Sequence, residues 1–456
     1  MPLLKHIVDK TSEYTRINNK SSRKSKGQFF TPLSVAQFMA KYAAVQTEHL
    51  SVLEPGAGNG ILSAALVSYC MENNLCNSFS IDFVENDTDI LPVLRETQEI
   101  LERYVRNKHG NITIHIHSCN YLTDGTDGLY DIVICNPPYL KIRKDSDEAK
   151  CMAKYVHGQP NLYSLFMCKA ITNLKNDGRF VFITPRSWTS GSYYRLARRF
   201  VLDSLSITDL ILFQDRDNVF CGEDVLQETL ITIGTKQKPQ AEYINIYHAG
   251  SVDHEVVPAQ IPYSLIKGIG KDNYLLIPSD EHDLEVIRIM SIKTDTFESL
   301  GYCFKTGPVV EFRNKEALSI EKRDGYVPMF RSANIVNGHF VFPASTKKVQ
   351  YIDETAKNLM LPDMNTVFLR RLSAKEETRR LQSCVYYAGN QNRHISAENH
   401  VNYLVRSDGT SLTKEEVEWI HGLLMSDEYE TYYRLINGST QVNASEINQL
   451  PLEKRV

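Results

Sequence analysis

The sequence lacks the features that mark secreted, disulfide-bonded, zinc-binding and membrane-spanning proteins. None of its nine cysteines forms a Cys-x-x-Cys pair, which argues against a zinc ribbon and against a disulfide framework. No uninterrupted apolar run is long enough to cross a bilayer, and the first residues, Met-Pro-Leu-Leu-Lys-His, do not form a signal peptide. We therefore expect a cytoplasmic protein without a membrane partner.

The sequence also lacks an excess of positive charge. Its net charge of −4 excludes a molecule that is basic over its whole surface, so any contact with DNA must come from local basic patches. At 456 residues, with 42% hydrophobic and 23% charged residues, the chain has the composition of a soluble globular protein. It is long enough for two or three domains, each with its own core.

The most informative stretch is Tyr130-Asp-Ile-Val-Ile-Cys-Asn-Pro-Pro-Tyr139. Its β-branched run predicts a buried strand, and the two prolines forbid both continued pairing and an immediate helix. Asn136 and the Pro137 carbonyl could accept hydrogen bonds from a planar amine such as N6 of adenine, while Tyr139 stacks on the ring. The alternative is an ordinary Pro-Pro turn after a strand.

A second turn is rich in glycine. Val52-Leu-Glu-Pro-Gly-Ala-Gly-Asn-Gly60 places a strand that ends in an acid before three glycines and the apolar helix 61–69. Gly56 and Gly58 let a ligand lie against bare backbone at a helix start. Because Glu54 would repel a pyrophosphate, this acidic strand end favours a cationic ligand such as S-adenosylmethionine.

Two further residues extend this predicted cofactor site. Glu85 ends the next strand, at about the spacing of a ribose-hydroxyl acceptor; the alternative is a solvent-exposed acid. Asn120 follows the strand 112–116 and could contact the edge of the cofactor's adenine. His115 and His117 alternate on one strand, but two histidines are too few for a metal site, so we expect no metal.

The alternation of elements predicts an α/β fold. Seven strands within about 235 residues indicate one doubly wound, Rossmann-like sheet over residues 27–240, preceded by a basic N-terminal arm at 1–26. The arm is either solvated or in contact with the DNA backbone. The charged segment 141–152 lacks clean periodicity and predicts a mobile loop over the site. Irregular periodicity after 240 predicts a mixed α/β second domain at 241–456.

The order of these motifs resembles the γ-group of DNA N6-adenine methyltransferases, the TaqI-like class. The resemblance covers residues 26–235 and includes Gly27-Gln-Phe-Phe-Thr-Pro32, Asn136-Pro-Pro-Tyr139 and Asn161-Leu-Tyr-Ser-Leu-Phe166. It implies a seven-stranded methyltransferase domain that uses S-adenosylmethionine without a metal. The implied cofactor residues are Thr31, Glu54, Gly56, Gly58, Glu85, Asn120 and Asn136, and the implied catalytic residues are Asn136, Pro137 and Tyr139, with Phe220 packing on a flipped base. Asn120 departs from the family pattern, which usually carries aspartate there.

The second half contains paired basic residues among aromatics and amides, a composition that suits phosphate contact and groove reading. The alternative is ordinary solvated surface. The candidate DNA-binding residues are Lys347, Lys348, Arg370, Arg371, Arg379, Arg380 and Arg393. Thr306–Arg313 and the stretch from Arg434 to Leu452 resemble the target-recognition domains of PstI/BsuBI-like methyltransferases, which modify CTGCAG.

These patterns predict a site-specific adenine methyltransferase of a type II restriction-modification system. It would act on double-stranded DNA as a monomer or a dimer, with any cognate endonuclease a separate protein. Two alternatives stay open. A protein-glutamine methyltransferase would share Asn-Pro-Pro-Tyr, but it needs no large domain after 240. A DNA specificity module without catalysis would not need intact Asn136, Tyr139, Glu54 and Glu85.

Overall fold

The computed structural model describes most of the chain, which divides into two compact units, residues 1–266 and 267–456. The described residues are 2–18, 20–213, 228–237, 239–249, 259–268, 273–344, 347–373, 377–389, 394–437 and 441–454.

The first unit is built on a nine-stranded sheet in the order β3-β2-β1-β4-β5-β7-β6-β8-β9. Its strands are β1 Leu50–Pro55, β2 Ser78–Val84, β3 Asn111–His117, β4 Tyr130–Cys135, β5 Leu174–Pro185, β6 Leu205–Phe213, β7 Thr229–Lys236, β8 Tyr243–Ala249 and β9 Ala259–Pro262. Strands β1 to β5 are parallel, whereas β7 runs antiparallel to both β5 and β6. The strand order reverses between β1 and β4, and in open α/β sheets such a switch point is where ligands bind.

Helices cover the sheet and bury its apolar strands. They are α1 Pro2–Ile17, α2 Lys20–Ser25, α3 Leu33–Ala43, α4 Ile61–Glu72, α5 Leu91–Asn107, α6 Tyr121–Asp124, α7 Asp147–Cys151, α8 Leu162–Thr172, α9 Arg195–Ser204 and α10 Tyr263–Ile266. The central β4 run Ile132-Val-Ile134 is completely buried, which accounts for its continuous apolar sequence. The predicted α/β class with a doubly wound sheet is confirmed.

The sheet and its domain extend further than the sequence predicted. We expected seven strands and a boundary at 240, but β8 pairs with β6 and β9 pairs with β8, so the compact unit reaches Ile266. Ile244 and Ile246 are buried on one face of β8, and the residues that alternate with them are Tyr243, Asn245 and Tyr247. That alternation is a strand signal, which the composition change near 240 obscured.

The N-terminal residues are helical and packed, and the prediction of an arm at 1–26 is wrong. Helix α1 packs against α4 and α5, and its Leu3, Leu4 and Ile7 are buried in the core of the first unit. The apolar residues follow helical spacing, but the lysines between them give the segment a basic composition. The amphipathic pattern, rather than the charge, determines where this segment lies.

Segment 141–152 also contains regular structure, contrary to the loop predicted there. Ser146 caps helix α7 by accepting a hydrogen bond from the Ala149 backbone N–H at 3.3 Å. Ile142 donates its backbone N–H to the Pro160 carbonyl at 3.0 Å, and Leu162 donates to the Leu140 carbonyl at 2.9 Å. The segment is therefore held against the start of α8.

The second unit, residues 267–456, combines small sheets with helices, as its irregular periodicity predicted. Its strands are β10 Asp295–Thr296, β11 Tyr302–Thr306, β12 Leu318–Ser319, β13 Tyr326–Phe330, β14 Ile335–Val336, β15 His339–Phe340, β16 Tyr351–Asp353, β17 Leu361–Pro362, β18 Thr366–Arg370, β19 Ser383–Tyr386, β20 His394–Ala397, β21 Val401–Arg406 and β22 Pro451–Leu452. Its helices are α11 Glu281–Ser291, α12 Lys414–Leu424, α13 Asp427–Ile436 and α14 Ala444–Ile447. Strands β11, β21, β18 and β19 form one sheet, and β12, β16, β13, β20 and β17 form another. Across the described ranges of both units, none of the helices combines the length and apolar character needed to cross a bilayer.

Candidate active site

A cavity of about 410 Å³ lies at the carboxyl ends of the parallel strands. It occupies the switch point between β1 and β4, because its walls include the glycine turn after β1 and the Asn-Pro-Pro corner after β4. Its size falls within the range of small-molecule sites in proteins. All seven sequence-predicted cofactor residues line it: Thr31, Glu54, Gly56, Gly58, Glu85, Asn120 and Asn136.

The Asn136 side chain is fixed by two hydrogen bonds at this cavity. Its Nδ2 donates to the Phe29 carbonyl and to Thr31 Oγ1, both at 3.0 Å. Because a backbone carbonyl can only accept, the amide has one possible orientation. Among the described residues, Oδ1 has no hydrogen-bond partner, although it is buried. A buried acceptor of this kind is costly unless a ligand satisfies it.

The segment Gly27–Thr31 provides both acceptors and lies directly against the Asn-Pro-Pro-Tyr corner. Tyr139 donates its backbone N–H to the Gly27 carbonyl at 3.1 Å. Gly27 has a φ of +66°, and a Cβ there would meet the Leu140 Cβ at 3.0 Å. Only glycine combines this backbone conformation with so close an approach.

Glu54 is a buried carboxyl group at the end of β1, with only 2% of its surface exposed. Its Oε2 accepts the Ser63 backbone N–H at 2.8 Å, near the start of α4. Burial raises the pKa of Glu54 to about 7, and the hydrogen bonds from Ser63 oppose this rise. A cationic group in the cavity would favour the ionised form of Glu54.

Glu85 holds the glycine turn in place. One carboxylate oxygen accepts the Gly58 backbone N–H at 2.7 Å and the other accepts the Asp87 backbone N–H at 2.8 Å. Burial raises the pKa of Glu85, and these backbone hydrogen bonds lower it. The alternative of a solvent-exposed acid is therefore wrong, because Glu85 is buried at the cavity wall.

Asn120 lies at the cavity, but its side chain is bonded within the protein. Its Oδ1 accepts the Leu122 backbone N–H at 3.0 Å, and its Nδ2 donates to Glu148 Oε1 at 2.9 Å. Glu148 belongs to α7 and also lines the cavity. Sequence reasoning missed Glu148, although Ser146 followed by two acids is an N-cap pattern that predicts this helix.

Two of the predicted catalytic residues, Asn136 and Pro137, line the cavity. The Tyr139 hydroxyl donates to the Ile183 carbonyl at 3.1 Å, and its ring lies 5.6 Å from the Phe29 ring and 6.1 Å from the Tyr163 ring. Phe220 lies outside the described residues.

The N-terminal segment, residues 1–26, contributes contacts to the site that the sequence did not predict. Thr11 Oγ1 accepts from Asn59 Nδ2 at 2.7 Å, which links α1 to the glycine turn. Lys26 Nζ lies 2.7 Å from Asp87 Oδ1, beside the Glu85 turn. The helical apolar stripe in α1 is the signal that would have placed this segment on the domain.

The predicted DNA-binding residues lie in the second unit and differ in exposure. Lys347 and Lys348 are exposed, whereas Arg370 and Arg371 donate to the backbone carbonyls of Ile335 and Asn399. Arg393 lies outside the described residues.

For Arg380 the prediction of DNA contact is wrong. Only 1% of its surface is exposed, and its guanidinium lies 5.9 Å from the centre of the Tyr433 ring, inside the second unit. Arg379 donates to the Ser426 carbonyl at 2.8 Å and to Asp427 at 3.2 Å, at the start of α13.

Part of the chain matches a known protein family. Residues 59–220 match the family model of the Eco57I restriction-modification methylase. This part of the chain is therefore similar to restriction-modification methylases. The matched residues begin within the glycine turn and end at Phe220, and they include the Asn-Pro-Pro-Tyr corner.

Two relatives align with almost the whole chain. The type II methyltransferase M.PstI of Providencia stuartii is 29% identical over 97% of this chain and 90% of its own. M.BsuBI of Bacillus subtilis is 29% identical over 96% of this chain and 89% of its own. The similarity to these relatives therefore extends through the second unit.

A solved structure shares the fold over a similar length. It is the type IIL restriction-modification enzyme MmeI in complex with DNA, with a TM-score of 0.50 and 12% identity. The match covers 96% of this chain and 64% of the MmeI chain.

Proposed function

We propose that this chain is a site-specific DNA methyltransferase that transfers a methyl group from S-adenosylmethionine to N6 of a flipped-out adenine in duplex DNA. The observation that carries the proposal is Asn136 Oδ1, a buried acceptor without a partner among the described residues. It lies in the wall of the same cavity as Glu54 and the glycine turn. An acceptor next to a site for a positively charged ligand suits an amine that must attack an electrophile.

The chemistry of the cavity wall fits the methyl donor. Gly56 and Gly58 have φ angles of +65° and +55°, which leave bare backbone at the start of α4. Glu54 supplies negative charge for the amino and sulfonium groups, and Glu85 can accept from the ribose hydroxyls. When bound, S-adenosylmethionine supplies the electrophilic methyl group.

The chain's own residues prepare the adenine amine. Acceptors at Asn136 Oδ1 and the Pro137 carbonyl take hydrogen bonds from the two N6 hydrogens, which draws the nitrogen lone pair out of the ring. The two prolines and the contacts to Phe29 and Thr31 hold these acceptors in position before substrate arrives. As N6 bonds to the methyl carbon, the bond from that carbon to the sulfonium sulfur would break, which would leave S-adenosylhomocysteine. The surplus proton of N6 would pass to water, and no covalent enzyme intermediate is required.

The target sequence is a finer part of the proposal. The likeness to M.PstI and M.BsuBI covers nearly the full length, so it includes the unit that would recognise DNA. We therefore expect methylation within CTGCAG, and the chain would be the modification enzyme of a restriction-modification system.

The test incubates the protein with methyl-labelled S-adenosylmethionine and plasmid DNA, then digests the DNA to nucleosides for mass spectrometry. Label in N6-methyladenine, with protection of CTGCAG sites from cleavage, is the expected result. Label in a protein glutamine would support the protein methyltransferase alternative instead. Label in 5-methylcytosine, or none in DNA, would contradict the proposal.

A further inference from the structure

Asn120 stands at the position that the family pattern assigns to contact with the cofactor's adenine, where the pattern usually has aspartate. In this protein the Asn120 side chain already forms hydrogen bonds within the protein. Its Oδ1 accepts the Leu122 backbone N–H at 3.0 Å, and because a backbone N–H can only donate, the amide orientation is fixed. Nδ2 therefore faces Glu148 Oε1, at 2.9 Å. The amide presents a donor next to a carboxylate.

Among the described residues, both polar atoms of the Asn120 side chain have a partner, whereas Glu148 has one carboxylate oxygen without one. It lines the cavity, and its Oε1 is the atom that accepts from Asn120. Within the described ranges, its Oε2 makes no hydrogen bond or ion pair. An ionised carboxylate forms stronger hydrogen bonds with an amine than a neutral amide does.

The surroundings of Glu148 suit a flat ring with one polar edge. Apolar residues from two parts of the chain line the cavity with it: Leu140 and Ile142 before α7, and Leu162 and Phe166 of α8. Helix α6, which Asn120 caps, packs against both α7 and α8. Glu54, Glu85 and Asp87 line the same cavity. Apolar walls beside a carboxylate acceptor are the chemistry that selects an aminopurine over a purine without the amino group.

We propose that Glu148, rather than Asn120, accepts the hydrogen bond from the exocyclic amino group of the cofactor's adenine. Asn120 acts as a positioning residue that orients the Glu148 carboxylate. The carboxylate that the family pattern places after β3 has thus been replaced by one from α7. This inference rests on the proposed use of S-adenosylmethionine.

The test is a calorimetric titration of the full-length protein with two ligands, S-adenosylhomocysteine and its analogue with hydrogen in place of the adenine amino group. For the wild type we expect the amino ligand to bind at least about tenfold more tightly, since hydrogen bonds to charged groups are strong. In Glu148→Ala this ratio should fall to about one, because the acceptor is gone. Asp147→Ala, which removes an exposed acid from the same helix, should keep the wild-type ratio.

The Asn120→Asp variant distinguishes Asn120 from Glu148 as the residue that contacts the adenine amino group. If Asn120 contacted adenine, the aspartate would restore the family pattern and binding would be kept or improved. Under our assignment, it puts two carboxylates together where Asn120 now donates to Glu148, so we expect about tenfold weaker binding of S-adenosylhomocysteine.

Each outcome of the titration decides a separate point. Should Glu148→Ala weaken both ligands equally, Glu148 is only structural and the inference fails. Glu148→Met, which keeps the length of the side chain but has no carboxylate oxygen, replaces the alanine variant in the same comparison if that variant does not fold. A wild-type protein that binds neither ligand would instead remove the proposed cofactor.

Discussion

Replacing Glu54 by Gln should stabilise the ligand-free protein while weakening its binding of the methyl donor. Glu54 is buried, and burial raises its pKa from 4.5 to about 7. The ionised carboxylate is therefore less stable in the folded protein than in the unfolded chain. A glutamine is neutral at every pH and can still accept from the Ser63 N–H.

The magnitude follows from the shift in pKa. One pH unit corresponds to about 1.4 kcal/mol, so a rise of about 2.5 units lowers the free energy of unfolding by up to about 3 kcal/mol once Glu54 is fully ionised. The pKa of Glu54 is higher in the folded protein than in the unfolded chain, so the stabilising effect of the protonated carboxyl is complete below about pH 4.5. This effect is lost as the pH rises through about 7.

The assay compares urea unfolding of wild type and Glu54→Gln at pH 5 and pH 8, with Glu99→Gln, an exposed acid on α5, as the control. The variant should gain stability relative to wild type as the pH rises, and the control should not. Calorimetry at pH 8 should show weaker binding of S-adenosylmethionine to the variant. If the stability difference is independent of pH, the burial argument for Glu54 is refuted.

The remaining predictions concern positioning and DNA contact. Thr31→Val removes one acceptor from Asn136 Nδ2 and should slow single-turnover methyl transfer about 5- to 100-fold, the equivalent of one buried hydrogen bond, while Thr31→Ser stays near wild type. An unchanged rate in Thr31→Val would contradict this role. Lys347→Ala and Lys348→Ala should each weaken DNA binding for all sequences and reduce the slope of log K against log salt by about one; an unchanged slope would exclude phosphate contact. Arg380→Ala should instead lower the thermal unfolding temperature, because Arg380 is buried; loss of DNA affinity without loss of stability would contradict this.

The central strands and the corner after β4 were predictable because their sequence signals are local. Ile132-Val-Ile134 is wholly apolar because it is buried on both faces, and two prolines must end the strand. The turn around Gly56 was equally clear, since positive φ angles favour glycine. Parallel strand order then brings both turns to one edge of the sheet.

The parts that the sequence did not predict depend on contacts between distant segments. Asn120 meets Glu148 because α6 and α7 pack together, and no spacing rule links two residues 28 positions apart. The burial of Arg380 depends on its packing against Tyr433 of α13, which its sequence neighbours do not indicate. Helix α1 was missed for a different reason, since its basic composition drew attention away from Leu3, Leu4 and Ile7.

The proposed role of Asn136 is decided by the single-turnover rate of N6-methyladenine formation by Asn136→Ala, with DNA and S-adenosylmethionine both saturating. If Asn136 Oδ1 prepares the attacking amine, the rate should fall by about 100- to 1000-fold or more, the cost of losing one preorganised catalytic hydrogen bond. Dissociation constants for both substrates should change only a few-fold. A variant that methylates adenine at the wild-type rate would contradict the proposed mechanism.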